Sequence, residues 1–186
     1  MKKLLLFIVI TVTVNFVKAQ NFPIDSSTKL VSYSGIVKVD SLSKDELYNR
    51  ARAWFSSSFN SAKAVLDMDD RQAGKLIGKG TDKGTFEVLF TPFLFTVKFE
   101  VYITVKDNRY RYEITQFEII NDVAVGSASD SHWTIEEMIK GHQKKDKSFN
   151  GRWKSFTDQV IKTSNDLIKT LTTQMSLKGS KDKDNF

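Results

Sequence analysis

The chain has 186 residues, a formal net charge of +6, 14 phenylalanines and no cysteine. That length holds about one domain with a real core. Without cysteine there are no disulfides, no thiolate metal sites and no catalytic thiol, so stability has to come from packing.

Residues 1–19 read as a cleavable export signal. Lys2 and Lys3 form a basic start, residues 4–17 are an apolar run, and Val17-Lys18-Ala19 places small residues at −3 and −1 of a cleavage point. The run falls short of the ~20 residues that a membrane span needs. Gln20 is the expected new N-terminus, and losing Lys2, Lys3 and Lys18 lowers the net charge from +6 to +3. Nucleic-acid binding thereby loses most of its electrostatic support. No cysteine follows the cleavage point, so the expectation is a soluble periplasmic or extracellular protein, not a lipoprotein and not membrane-spanning.

Residues 20–29 read as a polar leader. A first strand over 30–39 alternates Val31, Tyr33, Gly35, Val37 and Val39 against Ser32, Ser34 and Lys38. Gly35 in its middle suggests a bulge or the close approach of another backbone. Ser43 and Glu46 then stand at capping-box spacing and open a helix that ends near Asn60. Its apolar stripe is Leu47, Ala51, Trp54, Phe55 and Ser58, with Asn49, Arg50 and Arg52 on the polar flank.

Three short strands are expected next, over 62–69, 74–80 and 85–91. Their turns fall at 70–73 and at Thr81-Asp82-Lys83-Gly84. Pro92 argues for a kink or an edge crossing. Beyond it the strongest strand signal in the chain runs through Phe93, Phe95, Val97, Phe99, Val101, Ile103 and Val105, alternating with polar residues. Asp107-Asn108 can supply two positive-φ positions of a tight hairpin. A two-residue loop sets Val105 against Tyr110, Ile103 against Tyr112, and Val101 against Ile114, which keeps the apolar residues on one side. The pattern then fails, because Phe99 would face Gln116. A bulge near residues 115–117 restores the phase for Phe117 and Ile119.

Residues 121–150 are irregular and polar, with a short helix over 134–140. From Arg152 to Met175 one face is held through Trp153, Phe156, Val160, Ile161, Ser164, Leu167, Ile168, Leu171 and Met175, which predicts a long helix. Residues 176–186 form a charged tail expected to be disordered. The whole is an α+β domain over 30–175. It has the order β-α-β(~5)-α, with one face of an antiparallel sheet covered by an N-terminal helix and a long C-terminal one.

Several motifs come close to chemistry without reaching it. The string from Gly74 to Thr81 has the flavour of a phosphate loop, but its glycine spacing is one residue short and Gly80 follows the lysine where a hydroxyl is needed. Asp67, Asp69 and Asp70 echo a calcium loop, yet the twelfth position is Gly78 rather than glutamate. Asp130-Ser131-His132 holds triad residue types in consecutive positions, where side chains diverge. His132 and His142 lack metal-ligand spacing. No catalytic, cofactor-binding or metal-ligating residue is therefore assigned. Lys140, His142, Lys144, Lys145, Lys147, Arg152 and Lys154, interleaved with Phe149 and Trp153, are the one concentrated basic stretch. They suit an anionic surface or, more simply, a solvated loop.

Tyr33-Ser34-Gly35-Ile36-Val37, the run from Glu46 to Phe55, then Asp69, Ile77-Gly78-Lys79-Gly80 and the hairpin up to about Phe117 resemble a family of exported Bacteroidota domains. It is domain-of-unknown-function family 4468, with a TATA-binding-protein-like fold. The resemblance spans about 31–118. It implies that fold, with a helix-grip arrangement as the alternative, and an exported setting, and it implies no activity. Two functional expectations follow. One is a non-enzymatic envelope module that binds a protein, a polymer or an anionic surface through its sheet face or through residues 121–150. The other is a small carrier of a hydrophobic molecule, lined by Phe93, Phe95, Phe99, Trp153 and Phe156 between the sheet and the C-terminal helix.

Overall fold

A computed structural model describes residues 22–59, 66–121, 132–144 and 152–176. The proposed signal (1–19), the charged tail beyond Ser176, and Asp130, Ser131, Lys145, Lys147 and Phe149 lie outside the described residues. Strands β1 (Tyr33–Lys38), β2 (Leu66–Asp70), β3 (Lys75–Val88), β4 (Thr91–Lys106), β5 (Arg109–Asn121) and β6 (His132–Thr134) form one antiparallel sheet in the order β1-β5-β4-β3-β2. Short β6 also pairs with β5, beyond the end of β1. Helices α1 (Lys44–Ser58), α2 (Ile135–Gln143) and α3 (Trp153–Ser176) complete the fold.

Helices α1 and α2 are each started by a specific side-chain contact. The Ser43 hydroxyl accepts from the Glu46 N–H at 3.2 Å. The return half of the expected capping box is replaced, because the Glu46 carboxylate turns to Arg50 Nε, 2.8 Å away. The full box forms instead at α2, between Thr134 and Glu137. Arg50 is the clearest departure from the expected polar flank of α1. It is only 8% exposed, and Nη1 donates to the carbonyl of Met175 at 3.0 Å. A charged donor thus satisfies one of the last carbonyls of α3. Leu47, Ala51, Trp54 and Phe55 are buried as their spacing predicts, whereas Ser58 is exposed. Trp54 Nε1 donates to Thr170 Oγ1 at 3.0 Å, a second tie between the two helices.

The β4–β5 pairing follows the register read from the pattern, with Val105 on Tyr110, Ile103 on Tyr112 and Val101 on Ile114. The bulge falls where the apolar phase breaks. Register shifts between Lys98 and Glu100, and Gln116 takes a φ of 56°. At the Asp107-Asn108 turn only Asn108 has positive φ (59°). Asp107 instead uses its carboxylate to accept from the Lys44 N–H at 2.7 Å.

Three expectations about strands are corrected. Residues 81–84 make no turn, and β3 runs straight through them from Lys75 to Val88. Its inward positions explain why turn-like residues sit in a strand. A Cβ on Gly80 would lie 2.4 Å from the Phe59 ring, and one on Gly84 would lie 2.2 Å from the Phe95 ring. Asp82, between them, accepts from Thr163 Oγ1 (2.7 Å) and Gln159 Nε2 (2.9 Å) on α3. Those positions are shaped for aromatic rings and a helix, not for a reversal. Pro92 causes no kink, since it is the second residue of β4, beside the β3–β4 turn. That turn is Leu89-Phe90, both at positive φ (49° and 66°), as a type I′ turn requires. Left-handed backbone costs roughly 1–2 kcal/mol for each such residue.

The first strand is shorter than expected, and the residues before it are folded. Ile24 pairs with Val31 in an isolated bridge, Phe22 meets Trp153 edge to face at 6.3 Å, and the Val31 N–H donates to Glu136 Oε1 at 2.7 Å. Gly35 admits neither a bulge nor a backbone. The Tyr112 side chain covers it, with ring atoms 2.9 Å from where a Cβ would stand. The core lies between the inward sheet face and the two long helices, centred on Trp54, Phe55, Phe95, Phe117 and Phe156.

Candidate binding face

The helices cover one face of the sheet and leave the other open. Strand pairing fixes what stands side by side there. Lys38 is opposite Arg109, and Arg109 is opposite Lys106. In the next rank Ile36, Arg111, Thr104 and Lys75 lie in line across four strands. Directly opposed side chains have Cβ atoms about 4.5–5.5 Å apart, and like charges in such positions destabilise a sheet. All five cations are exposed, as is Ile36 at 70%. Arg111 reaches Glu113 at 3.5 Å, whereas among the described residues no ion pair reaches Lys38, Lys75, Lys106 or Arg109. A lysine on edge strand β1 is an ordinary guard against strand addition. Arg109 and Lys106 sit inside the sheet, so that reason does not extend to them.

Further along the same face the charges close on one another. The bulge presents Gln116 outward, and its Nε2 donates to Glu100 Oε2 and to the Tyr102 hydroxyl, both at 2.9 Å. Tyr102 donates in turn to Glu100 at 2.5 Å, a bond that helps push its pKa up to about 12. Lys79 lies 2.7 Å from Asp67 and 3.6 Å from Glu100. His132 Nε2 lies 3.0 Å from Glu118. Most polar groups in this part of the face are paired, with exposed Lys98 opposite Glu118, and the directly opposed cations are gathered at the end near the Asp107-Asn108 turn.

Grooves also lie elsewhere, two of them bordered by α1. One of about 750 Å³ runs over α1 and is lined by Tyr48, Asn49, Arg52, Asp69 and Arg71, among others. Its polar groups hold each other. Asp69 accepts from the Tyr48 hydroxyl and from Arg52 Nε (2.8 Å), while the Arg71 guanidinium stands 4.9 Å over the Tyr48 ring. The hydrogen bond from Tyr48 and that from Arg52 hold the Asp69 carboxyl below its usual range. Desolvation, then the bond to Asp69, pushes Tyr48 up to about 12. The cluster latches the β2–β3 hairpin onto α1. The second groove, about 510 Å³, lies between α1, α3 and β3 and mixes Trp54, Phe59 and Phe99 with Asp82, Thr163 and Lys169.

Residues 33–119 match the family described as "Domain of unknown function (DUF4468) with TBP-like fold". The matched segment runs from β1 into β5. Two solved structures share its fold. A DUF4468 family protein from Bacteroides ovatus ATCC 8483 superposes with a TM-score of 0.63 at 12% identity, over 87% of this chain and 94% of that one. A TBP-like protein from Parabacteroides distasonis ATCC 8503 does so with 0.58 at 17% identity, over 81% and 96%. At such identities the likeness speaks for the α+β, TBP-like fold alone. No curated protein matches the chain.

The cationic ranks lie wholly inside the DUF4468 segment, and so does the latch. The residues singled out in the sequence are dispersed. Gly74–Thr81 is the β2–β3 turn and the start of β3, with no helix N-terminus behind it. Asp67 binds Lys79 and Asp69 binds Tyr48 and Arg52, so neither is free for a cation. Among the described residues no group of three or more acidic or histidine side chains could hold a metal. His132 is on β6, whereas His142 stacks on Trp153 with ring centroids 4.3 Å apart. Of the aromatics named for a ligand cavity, Phe95 meets Phe156 at 4.7 Å and Phe93 stacks on Phe86 at 5.5 Å. Only Phe99 borders the second groove. Sequence reading missed the cationic ranks because their members are far apart in the chain. The predicted β4–β5 register, extended one step outward to Lys106 and Arg109, contained half of the signal.

Proposed function

We propose that the chain is an exported, non-enzymatic module that binds an acidic partner in the cell envelope through the open face of its sheet. One observation carries the reading. Lys38, Arg109 and Lys106 stand directly opposite one another, with Arg111 and Lys75 in the next rank, on strands whose pairing they weaken. An arrangement unfavourable to the free protein becomes favourable when an anionic surface lies across it. Ile36, on edge strand β1 beside these cations, adds an exposed apolar contact. The export pattern of residues 1–19 supports the envelope setting, and the self-satisfied Tyr48–Asp69 and Tyr102–Glu100 clusters support a binding role over a catalytic one.

The substitution Arg109→Glu tests this with two readouts of opposite sign. It converts two repulsive cross-strand pairs into attractive ones, so the fold should gain about 0.2–1 kcal/mol per pair. Binding to polyglutamate and to a sulfated polysaccharide, measured by calorimetry at low salt, should fall several-fold. Undiminished binding in a folded Arg109→Glu protein would remove the open face from the proposal.

A further inference from the structure

The β3–β4 turn presents two large apolar side chains to solvent, with Leu89 90% and Phe90 97% exposed. Neither contributes to the core, which ends below them at the stacked pair Phe86 and Phe93. The turn also holds both residues at positive φ, the conformation that asparagine and glycine adopt with least strain. Leu89 stands three residues beyond Phe86, about 10 Å further along a strand that rises about 3.3 Å per residue. Beside the base of this projection the Arg152 guanidinium lies 4.8 Å over the Phe86 ring. Glu87 is on the opposite, open face, paired across from Pro92.

We propose that the Leu89-Phe90 turn is a membrane-docking tip that inserts into the interface of a bilayer containing anionic lipid, with Arg152 as its cationic shoulder. The projection matches the depth of about 5–10 Å to which interfacial apolar groups enter the headgroup and acyl boundary. A guanidinium at the level of the surface complements anionic headgroups. A protein partner is the weaker fit. A stable protein interface takes about 800 Å² from each side, and two side chains on a bare turn offer far less, with no concavity or rim. A bilayer needs no complementary shape.

Residues 20–186 keep every described residue and remove the apolar run that would itself enter vesicles. This protein is to be sedimented with vesicles of phosphatidylethanolamine and phosphatidylglycerol, and separately with phosphatidylcholine alone. The control is the double substitution Leu89→Asn, Phe90→Gly, which supplies the preferred type I′ residues and so preserves the fold. The parent should partition onto the anionic vesicles at least about tenfold more strongly than the variant, given the transfer of two large apolar side chains, and more weakly onto phosphatidylcholine. The variant's melting temperature should be no lower than the parent's. Equal partitioning of parent and variant would overturn the proposal. So would a folded parent that ignores both vesicles, even if the tip then captured a protein.

Discussion

Strand β4 begins and ends in a two-residue hairpin turn, and the two turns are opposites. Asp107-Asn108 is tied into the rest of the fold. Asn108 donates its N–H to Leu42 and accepts from Val39, and Asp107 caps the first N–H of α1. The neighbouring carbonyl of Gly74 accepts from Val105 at 2.8 Å, which ties the β2–β3 turn to the same corner. At Leu89-Phe90 nothing of the kind occurs among the described residues, and two residues at positive φ stand exposed. One turn is a corner of the fold's framework and the other is carried by the framework. Backbone strain at a corner is stabilised by what packs on it, whereas strain at a bare tip has to be explained by something outside the chain.

The contrast predicts opposite signs. At the framed end, Gly74 has a φ of 68°, and a Cβ would stand 2.7 Å from the Val105 carbonyl. Gly74→Ala should therefore lose about 2–3 kcal/mol in a urea melt, from left-handed strain plus the displacement of that carbonyl. At the bare end, replacing Leu89 and Phe90 by Asn and Gly should gain about 1 kcal/mol or more, because the new residues adopt the turn without strain and no packing is lost. If Gly74→Ala proved neutral, the corner would be looser than its contacts indicate. If the double substitution destabilised the protein, the tip would be packed against something, and the contrast between the turns would fail.

The same contrast shows what was legible in the sequence. Asp107-Asn108 was found because its residues are turn formers and the flanking alternation leaves one register. The bulge at Gln116 was found because an apolar phase has to be restored somewhere. The Leu89-Phe90 turn is hidden in the sequence because its residues argue against a turn, and Thr81–Gly84 reads as one because its residues argue for it. In both cases tertiary contacts decided. The Phe59 and Phe95 rings require the missing side chains of Gly80 and Gly84, and α3 requires the carboxylate of Asp82. Arg50 escaped for a related reason, since its partner is the carbonyl of Met175, 125 residues away. Periodicity reports which face is apolar, and it does not report which polar residue meets a distant chain end. The cationic ranks needed the pairing of β1 with β5, which is not local, and of β3 with β4, whose hairpin turn carries no turn-forming residue.

The latch over α1 belongs to the framed side of the molecule, and its titration tests whether it holds the β2–β3 hairpin as its geometry implies. Asp69 is depressed in the folded state by its bonds from Tyr48 and Arg52. Its contribution is therefore present above the unfolded carboxylate range, near pH 4, and is lost as pH falls through the lower folded value. Tyr48 is raised to about 12 from an ordinary value of 10.0. A raised phenol contributes stability below its unfolded pKa, and that stability declines as pH climbs from about 10 to 12. The latch should thus loosen at both extremes and hold between them. Amide exchange in β2 should accelerate on the acid side before it does so in β4, because β4 is paired on both edges whereas β2 has only β3 and the latch. In Asp69→Asn the acid-side acceleration should disappear, since no carboxylate remains to be protonated. If β2 instead kept the same acid profile without Asp69, the hairpin would be held by strand pairing alone, and the Tyr48–Asp69–Arg52 cluster would be a surface ion pair of little consequence.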